Sequence, residues 1–157
     1  MLKTKLLMKL KKIHNSNELK IYVADKSMSL KIPYFEGGVS AGFPSPAEDY
    51  MDGKLDLNNL LINNPSSTYY VRVVGDSMKN AGIISGDLLV VDRSLEITNN
   101  CIVVAFLDGE FTVKRIKKTT NKMFLQPENS NYKAIEITEE MDFELFGVVA
   151  HAIHHFI

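Results

Sequence analysis

Two apolar, β-branched runs, Cys101 to Leu107 and Glu110 to Lys117, stand on either side of the dipeptide Asp108-Gly109. A two-residue Asp-Gly link between such runs predicts a β-hairpin, because the tight turn that matches strand twist needs positive φ at both central positions. Shorter runs of the same kind occupy Thr68 to Val74, Leu88 to Asp92, Lys122 to Gln126 and Phe143 to His151. Together they predict a compact, mainly β domain with antiparallel pairing. The segment from Glu48 to Asn63 is expected to hold one or two short helices, with Leu55, Leu57, Leu60, Leu61 and Ile62 packing onto the sheet. No internal repeat or low-complexity stretch interrupts the pattern.

Lys114 falls inside the second arm of the hairpin, in Phe111-Thr112-Val113-Lys114. Alternation alone would turn Phe111 and Val113 inward and leave Lys114 in solvent. Upstream by 37 residues lies Gly75-Asp76-Ser77-Met78. Taken singly this is a turn or a cap, since Asp and Ser side chains bond to nearby backbone amides. Paired with Lys114, Ser77 becomes a candidate nucleophile with a candidate base. A Ser hydroxyl needs an adjacent base to attack a carbonyl, and a Lys near its ordinary pKa of about 10.4 carries no free lone pair at neutral pH. Lys114 therefore has to be desolvated to act, because burial among apolar groups disfavours the ammonium. The tetrahedral oxyanion would then need N-H donors, for which the backbone amides of Ser77 and Met78 are the natural candidates. Asp76 is given no catalytic role.

The stretch from Gly42 to Lys114 contains Phe43-Pro44-Ser45-Pro46-Ala47, Asp56-Leu57-Asn58, Leu60-Leu61-Ile62, Gly75-Asp76-Ser77-Met78, Gly86-Asp87-Leu88-Leu89-Val90-Val91-Asp92 and Asp108-Gly109-Glu110-Phe111-Thr112-Val113-Lys114. In wording and order these resemble the UmuD branch of the LexA-like self-cleaving serine peptidases, and the likeness continues to Phe146-Gly147-Val148-Val149. The resemblance implies the LexA/UmuD C-terminal peptidase fold with a flexible N-terminal arm. It also implies that Ser77 is the nucleophile, Lys114 the general base, and Ala41-Gly42 the bond the chain cuts in itself. Val39 matches an apolar residue that the family places shortly before that bond. Where UmuD members often carry Cys before the Gly, this chain carries Ala41, as LexA proteins commonly do. The implied division is a basic arm over residues 1–41 and a peptidase domain over 42–157. Closure of the cleft over the chain's own Ala41-Gly42 segment would strip water from Lys114 and so serve as the trigger.

Charge separates the arm from the rest. The formal net charge is −1, yet residues 1 to 40 hold eight Lys against Glu18, Asp25 and Glu36. The basic start, Met1 to Lys12, is read as a solvated, partly amphipathic arm in preference to a direct DNA contact, since no Arg or aromatic residue accompanies its Lys. Lys interrupts each apolar run before it reaches signal-peptide length, and no run is long enough to span a membrane. Cys101 is the sole cysteine, which fits a reduced, cytoplasmic setting. His151, His154 and His155 read as a polar end to the last strand rather than a metal site, no phosphate-binding Gly-rich loop is present, and no cofactor is expected.

The resemblance implies an SOS-response role. A RecA filament on single-stranded DNA would favour the cleavable conformation, and the processed chain, as a homodimer, would serve a UmuC-type error-prone polymerase as its accessory subunit. The alternative is a damage-responsive transcriptional regulator that the same cleavage inactivates. Forty residues without a helix-turn-helix pattern weigh against it.

Overall fold

The computed structural model describes residues 12–15, 19–23, 29–34 and 53–157, the first two segments by their backbone only. Eleven strands occur in chain order: β1 (Lys12–Asn15), β2 (Leu19–Val23), β3 (Ile32–Tyr34), β4 (Gly53–Leu55), β5 (Thr68–Val73), β6 (Leu88–Asp92), β7 (Ile102–Leu107), β8 (Glu110–Lys118), β9 (Met123–Gln126), β10 (Ile135–Ile137) and β11 (Phe143–Ile153). Nine form one sheet in the order β1-β2-β5-β6-β11-β7-β8-β9-β10, while β3 and β4 form a separate pair. Every pairing is antiparallel. The mainly β expectation therefore holds. The predicted hairpin is β7-β8, with Leu107 opposite Glu110 and both turn residues at positive φ, Asp108 at 48° and Gly109 at 95°.

The centre of the sheet is apolar on both faces, which explains why its strands read as continuous runs rather than clean alternations. Leu89, Val90 and Val91 in β6 and Val103, Val104 and Ala105 in β7 are all fully buried. One cluster joins Val71, Val73, Leu89, Val91, Val104 and Val113 with Met78 and Ile83 from the connection after β5. The second, on the alternate positions of β7 and β8, joins Val103, Ala105, Ile116 and Leu125.

Strand β11 lies at the middle of the nine and pairs with both β6 and β7. It carries register shifts between Leu145 and Gly147 and between Val149 and His151. At Gly147 the neighbouring strand comes so close that a Cβ would meet Val91 Cγ1 at 2.9 Å and Asp92 O at 3.2 Å. Only glycine fits that approach.

The 48–63 segment holds a short helix as expected, and one expectation about its leucines is corrected. Part of the 48–63 segment is strand β4, and the helix there is one short α1 (Leu57–Leu61), capped by the Asp56 carboxylate accepting from Asn58 N at 2.9 Å. Of its leucines, Leu57 and Leu60 are exposed rather than packed on the sheet, and the burial falls on Ile62 just beyond the helix. Nearer the N-terminus, β2 runs along β5 from Leu19 opposite Val73 to Val23 opposite Tyr69. Residues 1–11 lie outside the described residues.

Candidate active site

Ser77 sits on the turn that follows β5. Gly75 opens this turn at φ 98°, a conformation that residues with a Cβ adopt only under strain. Met78 closes it, burying its side chain in the first core cluster at 2% exposure. A short 3-10 turn, Lys79–Ala81, follows and ends at Gly82. The residue after Ser77 is thus fixed in the core, which leaves the Ser77 side chain directed across the sheet toward β8.

There it meets Lys114, whose Nζ lies 3.0 Å from Ser77 Oγ. The same Nζ donates to Thr112 Oγ1 at 2.6 Å and to the Val113 carbonyl at 3.0 Å. Lys114 stands opposite Val103 in the β7-β8 ladder and is only 8% exposed. Simple alternation would have put it in solvent. Instead Val113 and Lys114 are both buried, Val113 in the first core cluster beside Met78 and Lys114 against Ser77.

The turn is braced from the loop after β9. Glu128 N donates to Ser77 O at 2.8 Å, and Asn80 N donates to Glu128 O at 2.9 Å. Asn129, 4% exposed, donates through Nδ2 to Asp76 O at 3.0 Å and to Asp76 Oδ2 at 3.2 Å. Tyr132 OH donates to Asp76 Oδ1 at 2.6 Å, and this bond is the main reason the Asp76 carboxyl is held below the usual carboxylate range. The Arg115 guanidinium, next along β8 from Lys114, pairs with Glu128. None of these loop residues was singled out from the sequence. The signal present was Asn129-Ser130-Asn131, which reads only as a loop.

Two depressions adjoin Ser77. One is very small, about 20 Å³, and is lined by Val73, Val74, Gly75, Met78, Thr112 and Val113 around Ser77. The other is an open cleft of about 260 Å³ running past Ser77 and Lys114, with Glu110, Phe111, Tyr132 and Ile135 along its walls. A serine and a buried lysine in contact at the base of a cleft form a nucleophile-base arrangement suited to acyl transfer. Ala41, Gly42 and Val39 lie outside the described residues. His154 Nδ1 shares a hydrogen bond of 2.7 Å with the buried Asp87, and no group of three metal-ligating side chains occurs among the described residues.

Residues 33–150 match the Peptidase S24-like family. This chain belongs to that family. Within it the chain is a UmuD-type member of the LexA/UmuD group. It is 46% identical to Protein SamA of Salmonella typhimurium over 122 residues, which cover 78% of this chain and 84% of the relative. Protein ImpA of Escherichia coli is 43% identical over 122 residues, covering 78% and 83%, and Protein MucA of Escherichia coli is 42% identical over 123 residues, covering 78% and 84%. Membership of the S24-like peptidases makes the chain a serine peptidase or autoprotease by class. No helix among the described residues is long and apolar enough to cross a membrane.

Proposed function

We propose that the chain cuts its own Ala41-Gly42 bond with Ser77 as nucleophile and Lys114 as general base, and that this cleavage switches on a mutagenesis function in the response to DNA damage. The observation that carries the reading is the 3.0 Å approach of Lys114 Nζ to Ser77 Oγ at a site where the lysine is almost wholly buried. Burial raises the cost of the ammonium, so deprotonation is easier than in water.

In the neutral state the amine accepts the Ser77 hydroxyl proton as Oγ attacks the Ala41 carbonyl carbon. The oxyanion that forms would take hydrogen bonds from the Ser77 and Met78 amides. Lys114, now an ammonium, returns the proton to the Gly42 nitrogen as the C-N bond breaks, leaving Ala41 esterified to Ser77. Water, deprotonated by the same amine, then hydrolyses the ester and restores both groups. Thr112 Oγ1 and the Val113 carbonyl hold the amine in place through the cycle. The small recess beside Ser77, lined by Val73, Val74 and Val113, supports a small apolar residue such as Ala41 before the cut.

Membership of the UmuD-type group supports the wider setting. A RecA filament on single-stranded DNA would bind the closed, cleavable state better than the open one and so raise its population. Residues 42–157, as a homodimer, would then serve a UmuC-type translesion polymerase. Intact-mass spectrometry tests the core of this reading, after incubation at alkaline pH and, separately, with RecA, an ATP analogue and single-stranded DNA. A product beginning at Gly42, absent from Ser77→Ala, is the expected result. A chain that stays whole under both conditions overturns it.

A further inference from the structure

The two peptide groups that would stabilise the oxyanion are both gripped from behind by one loop. The Asp76 carbonyl and the Ser77 N-H belong to the same peptide plane, as do the Ser77 carbonyl and the Met78 N-H. In a trans peptide these groups point in opposite directions, so whatever fixes the carbonyl aims the N-H. Asn129 Nδ2 bonds to the first carbonyl at 3.0 Å and Glu128 N to the second at 2.8 Å. Lys79 N reaches the first carbonyl less closely, at 3.2 Å.

We propose that Asn129 is a positioning residue for the oxyanion site, and that residues 128–132 act as a clamp setting the direction of the Ser77 and Met78 amides. The assignment of catalytic roles rests on the function proposed above, whereas the clamp itself is a property of the fold. Asn129 is suited to the task because it is buried and its other side-chain atom is used as well, with Oδ1 accepting from Asn131 N at 3.1 Å. Its second donor contact, to Asp76 Oδ2, keeps that side chain out of the turn, and Tyr132 OH secures the remaining oxygen. Arg115 ties Glu128 back to β8, the strand that carries Lys114. A hydrogen bond accepted by a carbonyl also polarises the N-H of the same peptide, so the clamp strengthens the donors it aims.

The test uses the full chain with Asn129→Ala and Asn129→Asp. Asp has the size of Asn and retains the acceptor for Asn131 N, but it offers the Asp76 carbonyl an anion in place of a donor. Self-cleavage is followed as a first-order rate across alkaline pH, beside thermal melts. Amide nitrogen shifts of Ser77 and Met78 are read by NMR in each form. The clamp predicts a plateau rate about ten- to a hundredfold lower in Asn129→Ala, lower again in Asn129→Asp, with the pH of half-maximal rate unmoved because Lys114 is untouched. It further predicts displaced Ser77 and Met78 amide signals in both variants. A wild-type plateau in a folded Asn129→Asp, or unmoved amide signals, overturns the proposal. If the wild-type chain itself does not cleave, the peptidase reading falls and the amide signals alone decide the clamp.

Discussion

Ser77 and Lys114 are held in place by different means. Lys114 stands within a nine-residue strand, opposite the buried Val103 in the β7-β8 ladder and next to the buried Val113. Ser77 stands on a turn with no ladder of its own, fixed by one buried side chain, one glycine and a set of hydrogen bonds from a loop some fifty residues further along the chain. Lys114 therefore inherits its position from the sheet, while the position of Ser77 depends on contacts that can be lost singly. A site built in this way can be tuned through the turn without disturbing the sheet.

The widest test of that contrast removes each group in turn. Ser77→Ala and Lys114→Met are each expected to slow cleavage at least about a thousandfold, the scale of a lost acid-base partner, with melting behaviour little changed. A large stability loss on Lys114→Met would mean that the lysine is structural, and that the sheet needs it. Next in size is Met78→Ala, which leaves a hole under the turn. Chemical denaturation should show a loss of about 2 to 5 kcal/mol, with a slower plateau rate as well, since the cavity lies next to Ser77 on the same turn. An equal loss of stability with no loss of rate would show that the clamp alone holds the turn.

A smaller effect is expected at the join between the sheet's two halves. Gly147→Ala pushes a methyl against Val91 and the Asp92 carbonyl, and overpacking of this kind costs about 1 to 3 kcal/mol. The smallest concerns Asp92 itself. Burial alone would raise its carboxyl pKa, but bonds from Asn64, Ser94 and Ser67 outweigh burial and hold it below the ordinary value. The unfolded chain thus takes up this proton first as pH falls. The stabilisation is whole above about pH 4 and fades below it. Asp92→Asn should cost about 1 to 2 kcal/mol at neutral pH, and the gap to wild type should narrow in denaturation curves taken below pH 4.

Much of the sheet was legible because its strands are long, β-branched and punctuated by turn residues. β6 runs over Leu88 to Asp92 as expected, and the Asp108-Gly109 turn sets the β7-β8 register. Short or edge elements were not legible. Ile135–Ile137 is three residues long and gains its identity only by pairing with β9, while β1 and β2 sit in a Lys-rich region whose composition says nothing of a sheet edge. The helix leucines misled for a related reason: apolar residues in a short segment do not say which of them has a surface to cover. At the site, the approach of Lys114 to Ser77 was legible in the sequence, while the loop that braces the Ser77 turn was not. Asn129 acquires its role from a neighbour 53 positions away, and nothing local in its sequence marks that.

The order of the strands also bears on synthesis. Ser77 follows β5, on one side of β11, and Lys114 lies on β8, on the other. A ribosome delivers both residues well before it delivers residues 143–153, the strand that stitches the two sides together. Chains emerge from the N-terminal side first and fold as their segments become available. Under the function proposed above, a nascent chain would carry Ser77, Lys114 and the Ala41-Gly42 bond while the sheet that aligns the first two is still in two pieces. Competence for that cleavage would arrive with the last strand, after residues 1–41 have already been made.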